Sequence, residues 1–335
     1  SRLSGSGKLD LSGPRPHLAL QVSAPSIQLD DFPLPQQMTD ASEQPRPQGS
    51  LRGTATELAG RTDRLLGARF LRRFDADIDV RAKEVLAGAD RLADGQVQLR
   101  LREGRLDLDP AGVNLPGGSL RLSLSYDLKE SELDFAVAAY IHRFDYGIIA
   151  RRLDRADDLR GLFSMTLEMQ GRAPSLDTIM RNANGRLDVA VWPTELRSGV
   201  FDLWSVNLVL KLLPLIAPGG QSQVNCMVGR FDLRDGLVSD DKIIIDTTAL
   251  RIRGAGQANL ATEELSFVFR PRAKGVALFR LQTPLRVTGT IDDQRFGFAP
   301  GDTAASVLRL VASPVLLPIE RLVLGPLPRD GADIC

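Results

Sequence analysis

The sequence contains very few of the side chains on which most enzymes and metal sites depend. It has two histidines and two cysteines in 335 residues. His17 and His142 lie far apart, and Cys226 and Cys335 lack the paired spacing of a structural zinc site. We therefore expect a protein that is not an enzyme, with no catalytic residue, no metal ion and no cofactor. The cysteines are either two unrelated thiols or one disulfide formed in an oxidising compartment.

An excess of charge of one sign is also absent. Lys and Arg together number 42, as do Asp and Glu, so the formal net charge is zero. Without a long-range positive field, we expect no nucleic acid partner. Aromatic residues make up only 5% of the chain, and Trp192 and Trp204 are the only tryptophans. This scarcity of stacking surfaces argues against an extracellular adhesion or glycan-binding module.

No run of residues is long and apolar enough to read as a membrane-spanning helix. The two most apolar segments, 200–217 and 307–324, are each interrupted by charged residues and proline. A span needs about 20 predominantly apolar residues. Residues 1–13 are polar and glycine-rich, and they lack the apolar centre of a secretory signal.

The sequence is rich in apolar residues at alternate positions. Leu, Leu, Leu and Tyr alternate with polar residues over 120–126, and Leu, Phe, Val and Ala do so over 133–139 after a short turn. This period of two is typical of half-buried strands, and two such runs around a turn predict an antiparallel hairpin. About fifteen such runs follow one another without a βαβ rhythm. We therefore predict a mainly β fold, in which a long curled antiparallel sheet forms an apolar groove with a few short capping helices.

Five segments are predicted along the chain. Proline and polar residues dominate the second segment, a composition that cannot form a packed core. The segments are groove strands at 1–31; a Pro-rich exposed loop and linker at 32–65; a groove repeat at 66–155 with a short helix near 141–152; a C-terminal groove region at 156–300 with helices near 175–184 and 199–216; and a C-terminal helical cap at 301–335.

The apolar row of each strand is the candidate functional surface. If this face is open, its side chains would line a groove. The candidate lining residues are Leu120, Leu122, Leu124, Leu133, Phe135, Val137, Leu167, Leu187, Val189, Val191, Ile243, Ile245, Leu250, Ile252, Phe267, Phe269, Leu285 and Val287. The competing interpretation is a closed sandwich or barrel filled by its own side chains, which the same alternation describes equally well.

Several runs of the sequence resemble the AsmA family, in particular its C-terminal region. The resemblance is clearest within 161–298, weaker over 66–140 and essentially absent in the Pro-rich loop. The runs that carry it are VNCMVGRFDL at 224–233, DGL at 235–237, IIIDT at 243–247, LRIRGAG at 250–256, NLATEEL at 259–265, PRAK at 271–274 and TPLRVTGT at 283–290, with SGSGKLDL at 4–11 and the strands up to 31 resembling an upstream part of the family.

The resemblance implies a lipid-handling protein of the bacterial periplasm, related to TamB and to bridge-like lipid transfer proteins of repeating β-groove design. The expected ligand is phospholipid or another acyl lipid. The resemblance also implies a membrane anchor outside this chain, in the inner membrane, and an envelope protein as a possible partner. An alternative function is a structural or chaperone-like role in outer-membrane protein assembly, exerted through exposed strand edges.

Overall fold

The structure is a computed structural model in which nearly all described residues lie in β-strands. It describes residues 2–28, 31, 71–87, 90–115, 117–129, 132–148, 160–174, 176–195, 223–248, 250–274, 284–290 and 293–298. The strands are β1 Arg2–Asp10, β2 His17–Gln28, β3 Asp75–Ala82, β4 Val85–Ala87, β5 Asp90–Leu92, β6 Gly95–Arg102, β7 Arg105–Leu115, β8 Gly118–Leu128, β9 Leu133–Asp145, β10 Arg160–Ala173, β11 Ala183–Glu195, β12 Val224–Arg234, β13 Leu237–Thr247, β14 Leu250–Asn259, β15 Glu264–Ala273, β16 Leu285–Thr290 and β17 Gln294–Phe298. The predicted mainly β fold with one long sheet is confirmed.

Alternation rather than intrinsic strand propensity explains why these segments are strands. β8 reads GSLRLSLSYDL, in which the apolar positions are leucine and tyrosine. Leucine has no special preference for strands, unlike the β-branched residues. Because successive side chains of a strand point to opposite faces, the alternation places every leucine of β8 on one face. The separation of apolar and polar side chains onto two faces, together with backbone pairing to β7 and β9, therefore favours the strand.

Two of the tight turns follow directly from local sequence. Glu103 and Gly104 join β6 to β7 with φ of 53° and 88°, and Asp235 and Gly236 join β12 to β13 with φ of 47° and 75°. Two-residue hairpin turns favour positive φ at both positions because that geometry matches the twist of the strands. Glycine at the second position adopts this conformation without strain.

The chain divides into two compact units. The first comprises Ser1–Asp157, Phe163–Leu187 and Leu233–Gly236, and the second comprises Asp158–Leu162, Asp188–Asp232 and Leu237–Cys335. The division into five functional segments stays a prediction.

In the first unit the strands pair mostly with their sequence neighbours. β1 pairs with β2, β3 with β6, and then β6, β7, β8 and β9 follow one another, all antiparallel. The small hairpin of β4 and β5 attaches to the end of β2, where Ile27 lies beside Val85. β9 pairs onward with β10.

The prediction of a wholly antiparallel sheet is wrong at β2. This strand pairs in parallel with β3, from His17 beside Asp75 to Ala24 beside Ala82, and it also pairs in parallel with β4. Parallel neighbours require a connection long enough to return the chain to the starting end of the sheet. The segment between Gln28 and Asp75 supplies that length. Period-two alternation carries no information on strand direction, so the sequence did not reveal it.

In the second unit, β13 to β17 form an uninterrupted antiparallel meander. Its apolar face is a closed core. The buried residues of this core are Val224, Met227, Ile245, Leu250, Ile252, Ala258, Leu265, Phe267, Phe269, Leu285 and Val287.

The helical predictions have mixed outcomes. The helix expected near 141–152 begins later, because residues 141–145 belong to β9 and, among the described residues, helical backbone follows only at 147–148. A 3-10 helix spans Leu176–Asn182, within the segment predicted at 175–184. The helix predicted at 199–216, the helical cap at 301–335 and the loop at 32–65 lie outside the described residues. Among the residues that are described, no helix is long and apolar enough to cross a membrane.

Candidate functional site

Strand register aligns apolar side chains in rows across six strands of the first unit. In each row, every residue lies directly beside the next one on the neighbouring strand. The first row is Leu20, Ile78, Leu99, Leu108, Leu124 and Val137, and the second is Val22, Val80, Val97, Ala111, Leu122 and Ala139. We call these two rows the apolar strip.

Two buried clusters flank the apolar strip, one toward each end of the strands. At one end, Leu71 and Leu133 are 3% and 1% exposed and pack in a cluster with Tyr126, against which Ile179 of the 3-10 helix also packs. At the other end, Val85 and Leu92 of the small hairpin pack with Leu115, Ala24 and Ala82. Both strand ends of the apolar face are therefore covered by other parts of the chain.

The apolar strip itself is not covered to the same degree. Every one of its residues is partly exposed, and Val97 is 37% exposed. With strands about 4.8 Å apart, the strip extends roughly 24 Å across the sheet. Contiguous exposed apolar surface of this kind commonly marks a binding site for an apolar ligand or partner.

The second unit presents a different arrangement of the same residue types. Ile252 and Val287 are 0% exposed and Phe269 is 2% exposed. The Gly254 and Gly256 positions leave room for aromatic rings, because a Cβ there would lie 2.8 Å from Phe269 Cε1 and 2.5 Å from Phe267 Cδ1, respectively. The rings of Phe267 and Phe269 stack with centroids 6.3 Å apart. This part of the apolar face is filled by the chain's own side chains.

The predicted lining residues thus fall into two groups by burial. The buried group is Leu133, Phe135, Ile245, Leu250, Ile252, Phe267, Phe269, Leu285 and Val287. The partly exposed group is Leu120, Leu122, Leu124, Val137, Leu167, Leu187, Val189, Val191 and Ile243. The buried group contains most of the predicted residues of the second unit together with Leu133 and Phe135 of the first, and the partly exposed group contains residues of both units. Lipid binding by either group stays a prediction.

On the opposite face of the first unit, acidic and basic side chains pair both across and along strands. Asp77 receives hydrogen bonds from Arg102 and His17 on other strands, and Arg105 Nε lies 2.9 Å from Asp107 on the same strand. Hydrogen bonds from Arg172 and Lys129 lower the pKa of Asp134 to about 2. These pairs make the outer face a mixed-charge, solvated surface, including the Asp run at 75–79.

The second unit contains a buried charge cluster that period-two reasoning missed. Asp246 is 0% exposed and accepts hydrogen bonds from Lys274 Nζ at 2.7 Å, Asn225 Nδ2 at 2.9 Å and Arg251 Nε at 3.1 Å. Burial raises the pKa of Asp246, but the hydrogen bonds outweigh it, and the pKa lies below its ordinary value. The one sequence feature that could have indicated this cluster is an acidic residue directly after the three isoleucines at 243–245. Because the carboxylate is buried, removal of one of its charged partners would leave an uncompensated charge inside the fold.

The histidine and cysteine residues in the described part of the chain do not form a metal site. Among them, no group of three or more His, Cys, Asp or Glu side chains could hold a metal ion. His17 and His142 lie on β2 and β9, on the charged side of the sheet. Cys226 is 4% exposed and disulfide-bonded. Its predicted partner, Cys335, lies outside the described residues, and the pairing stays a prediction.

Comparison with known proteins gives one family and one relative. The model of the AsmA family matches residues 1–203. The AsmA family protein YhjG of Escherichia coli (strain K12) is 21% identical over 244 residues, which are 71% of this chain and 36% of that protein. The chain therefore spans about a third of the relative's length. No solved structure matches the chain.

The family match is distributed differently from the expected resemblance. It includes the Pro-rich segment at 32–65, where we expected none, and it ends at residue 203. The runs from 224 onward, which had suggested the resemblance most clearly, lie beyond it. The apolar strip, which spans residues 20 to 139, lies wholly inside the matched region.

Proposed function

Because the chain belongs to the AsmA family, we propose that it binds the acyl chains of phospholipids on its apolar strip and does so without catalysing a reaction. In this proposal the protein is a periplasmic, inner-membrane-anchored lipid-handling segment whose anchor lies outside this chain. Its role would be lipid transport between the membranes, or maintenance of the outer membrane.

The observation that carries the proposal is the partial exposure of the apolar strip between two buried clusters. A folded protein gains by burying apolar surface, at about 25 cal/mol per Å² removed from water. Leaving two full rows of leucine, valine, isoleucine and alanine partly exposed forgoes part of that gain. An occupant that is itself apolar would recover it.

The energetics of lipid transfer favour such a surface. Each methylene moved from a bilayer into water costs about 0.8 kcal/mol, so an unaided lipid leaves the membrane very slowly. An apolar wall replaces that exposure with contact. Since leucine, valine and isoleucine side chains offer no polar anchor, an acyl chain on the strip would be held without specificity and could move along it.

Co-purified lipid provides the first test. Native mass spectrometry and organic extraction of the purified chain should both reveal phospholipid, and a fluorescent fatty acid should bind with saturation. If extraction yields no lipid and the fluorescent probe does not bind, the proposal fails.

A pair of substitutions on β9 locates the binding surface. Val137 lies on the apolar strip, whereas its neighbour Ala136 is exposed on the charged face. Val137→Glu should abolish lipid binding, because a carboxylate would have to be desolvated against the acyl chain, and Ala136→Glu should leave it unchanged. Val137→Thr keeps the side-chain shape and serves as the control for misfolding. It should weaken lipid binding, while the protein unfolds at nearly the same urea concentration. Equal binding by all three variants would place the ligand elsewhere.

One observation favours the alternative of an edge-based interaction. β1 pairs with β2. Leu3 and Leu9 of β1 are 61% and 59% exposed, and Leu11, which follows β1, is 68% exposed. Exposed leucines on this strand offer apolar side-chain contacts to a partner segment that lies along it. Replacing Leu3 and Leu9 with lysine should abolish partner binding but spare acyl-lipid binding if this second function applies.

A further inference from the structure

The outer face of the second unit carries five arginines on three neighbouring strands. Arg253 and Arg270 lie directly beside each other on β14 and β15, as do Arg251 and Arg272 one row away. Arg286 on β16 lies beside Val268 and Gly297. We call these five residues the arginine stripe.

Among the residues that the structure describes, one carboxylate adjoins the arginine stripe. Arg253 faces Ile244 on its other side, whereas Arg251 faces Asp246. Asp246 already accepts hydrogen bonds from both Arg251 and Lys274, so this cluster alone retains one positive charge. Within the described residues, Arg253, Arg270 and Arg286 are exposed and make no ion pair.

The outer face of the first unit shows that this arrangement is not a general property of the sheet. There, Arg100 lies beside Asp77 and Asp107, and Arg105 lies beside Asp127. Like charges directly opposite each other on neighbouring strands destabilise a sheet. The Arg253–Arg270 pair therefore contributes unfavourably to folding unless an anionic partner occupies it.

We propose that the arginine stripe docks the second unit onto an anionic, phosphate-bearing membrane surface. Arg253 and Arg270, about 5 Å apart, and Arg286 on the next strand present three exposed guanidinium groups on one face of the sheet. The guanidinium group binds phosphate oxygens in a bidentate manner. A bilayer of anionic lipids offers phosphates in a matching plane.

The same face disfavours nucleic acid as the occupant. The rows of the arginine stripe contain Ile244, Ala255 and Val268 between the charges, and no aromatic ring is among these described positions. Binding of single-stranded nucleic acid relies on aromatic platforms for base stacking.

Vesicle sedimentation with matched double variants tests the docking. The full chain should bind phosphatidylglycerol-containing vesicles and not pure phosphatidylcholine vesicles, with binding that weakens as salt rises. R253Q/R270Q should reduce partitioning by about tenfold or more, given about fivefold per arginine near an anionic surface. R105Q/R230Q is the control, because it removes the same charge from arginines paired with Asp107 and Asp188, and it should change partitioning by less than about twofold.

Measurements of folding stability and of co-purified lipid distinguish a failure of this inference from a failure of the proposed function. R253Q/R270Q removes a like-charge pair and should unfold at the same or a higher urea concentration than the unsubstituted chain. It should also retain co-purified lipid. The docking inference is overturned if the unsubstituted chain ignores anionic vesicles, if it binds phosphatidylcholine equally, if both double variants lose binding equally, or if single-stranded RNA binds more tightly than the vesicles.

Discussion

Phe135 and Val137 lie on the same face of β9, two residues apart, but they differ in burial. Phe135 lies beside Tyr126, a member of the buried cluster around Leu71, and is 7% exposed. Val137 lies one row further along, where the strip begins, and is partly exposed. At the scale of single residues, the exposure of a side chain on the apolar face therefore depends on whether other residues of the chain cover its row.

Glycine at position 254 is required by the ring of Phe269. Gly254→Ala would place a methyl group 2.8 Å from Phe269 Cε1, and overpacking of this kind costs about 1–3 kcal/mol. Urea unfolding should show that loss. Gly297 is the matched control on the same sheet, because a Cβ there would meet nothing within 4 Å. Gly297→Ala should leave the free energy of unfolding unchanged or raise it by up to about 1 kcal/mol, and equal losses in both variants would refute the packing explanation.

Asp246 makes the second unit sensitive to acid. Its pKa is lowered in the folded chain, whereas an aspartate in an unfolded chain titrates near about 3.9. Its contribution is therefore fully present above about pH 4 and is lost as pH falls toward the folded pKa. Urea unfolding between neutral pH and pH 3 should show this decline, with a shallower decline for Asp246→Asn.

Asp246→Asn should also be destabilised at neutral pH, by about 3–5 kcal/mol, because Arg251 and Lys274 would lose their counterion while buried. Asp293→Asn is the control, since Asp293 is 75% exposed and lies 3.7 Å from Arg295. It should cost less than about 1 kcal/mol. Similar losses for both variants would mean that Asp246 is not the buried counterion.

At the scale of strands, the sequence predicted which segments are strands but not which parts of them are covered. Leu122 and Leu133 occupy equivalent positions in alternating runs, and nothing local distinguishes them. The structure distinguishes them because Leu71, from a distant segment, joins the cluster around Leu133. The sequence also did not predict the parallel pairing of β2 with β3, because a long connection carries no pattern that sets the direction of the next strand.

The difference between covered and uncovered parts of a strand can be measured. Leu133 is 1% exposed, and Leu133→Ala should cost about 2–5 kcal/mol in the free energy of unfolding. Leu122, on the apolar strip, is partly exposed, and Leu122→Ala should cost roughly half of that or less in lipid-free protein. Urea unfolding of delipidated samples checks both values. A Leu122→Ala loss as large as that of Leu133→Ala would mean that the strip is already filled by the chain.

At the scale of the whole chain, zero net charge conceals an uneven distribution. The first unit pairs acids with bases across strands, whereas the second concentrates unpaired arginines on β14, β15 and β16. The sequence displayed these arginines, but only strand register shows that they lie beside each other. The family followed from sequence alone, and the position of the half-exposed strip required the fold.

Photo-crosslinking is the most direct test of acyl-chain binding on the apolar strip. The purified chain is loaded with a phospholipid that carries a diazirine in its acyl chain, irradiated and mapped by peptide mass spectrometry. We expect crosslinks at strip residues such as Leu122, Leu124 and Val137, and none at the buried Val287 or at the charged-face residues Ser123 and Ala136. Crosslinks spread over both faces of β8 and β9, or absent from the strip, would contradict acyl-chain binding there.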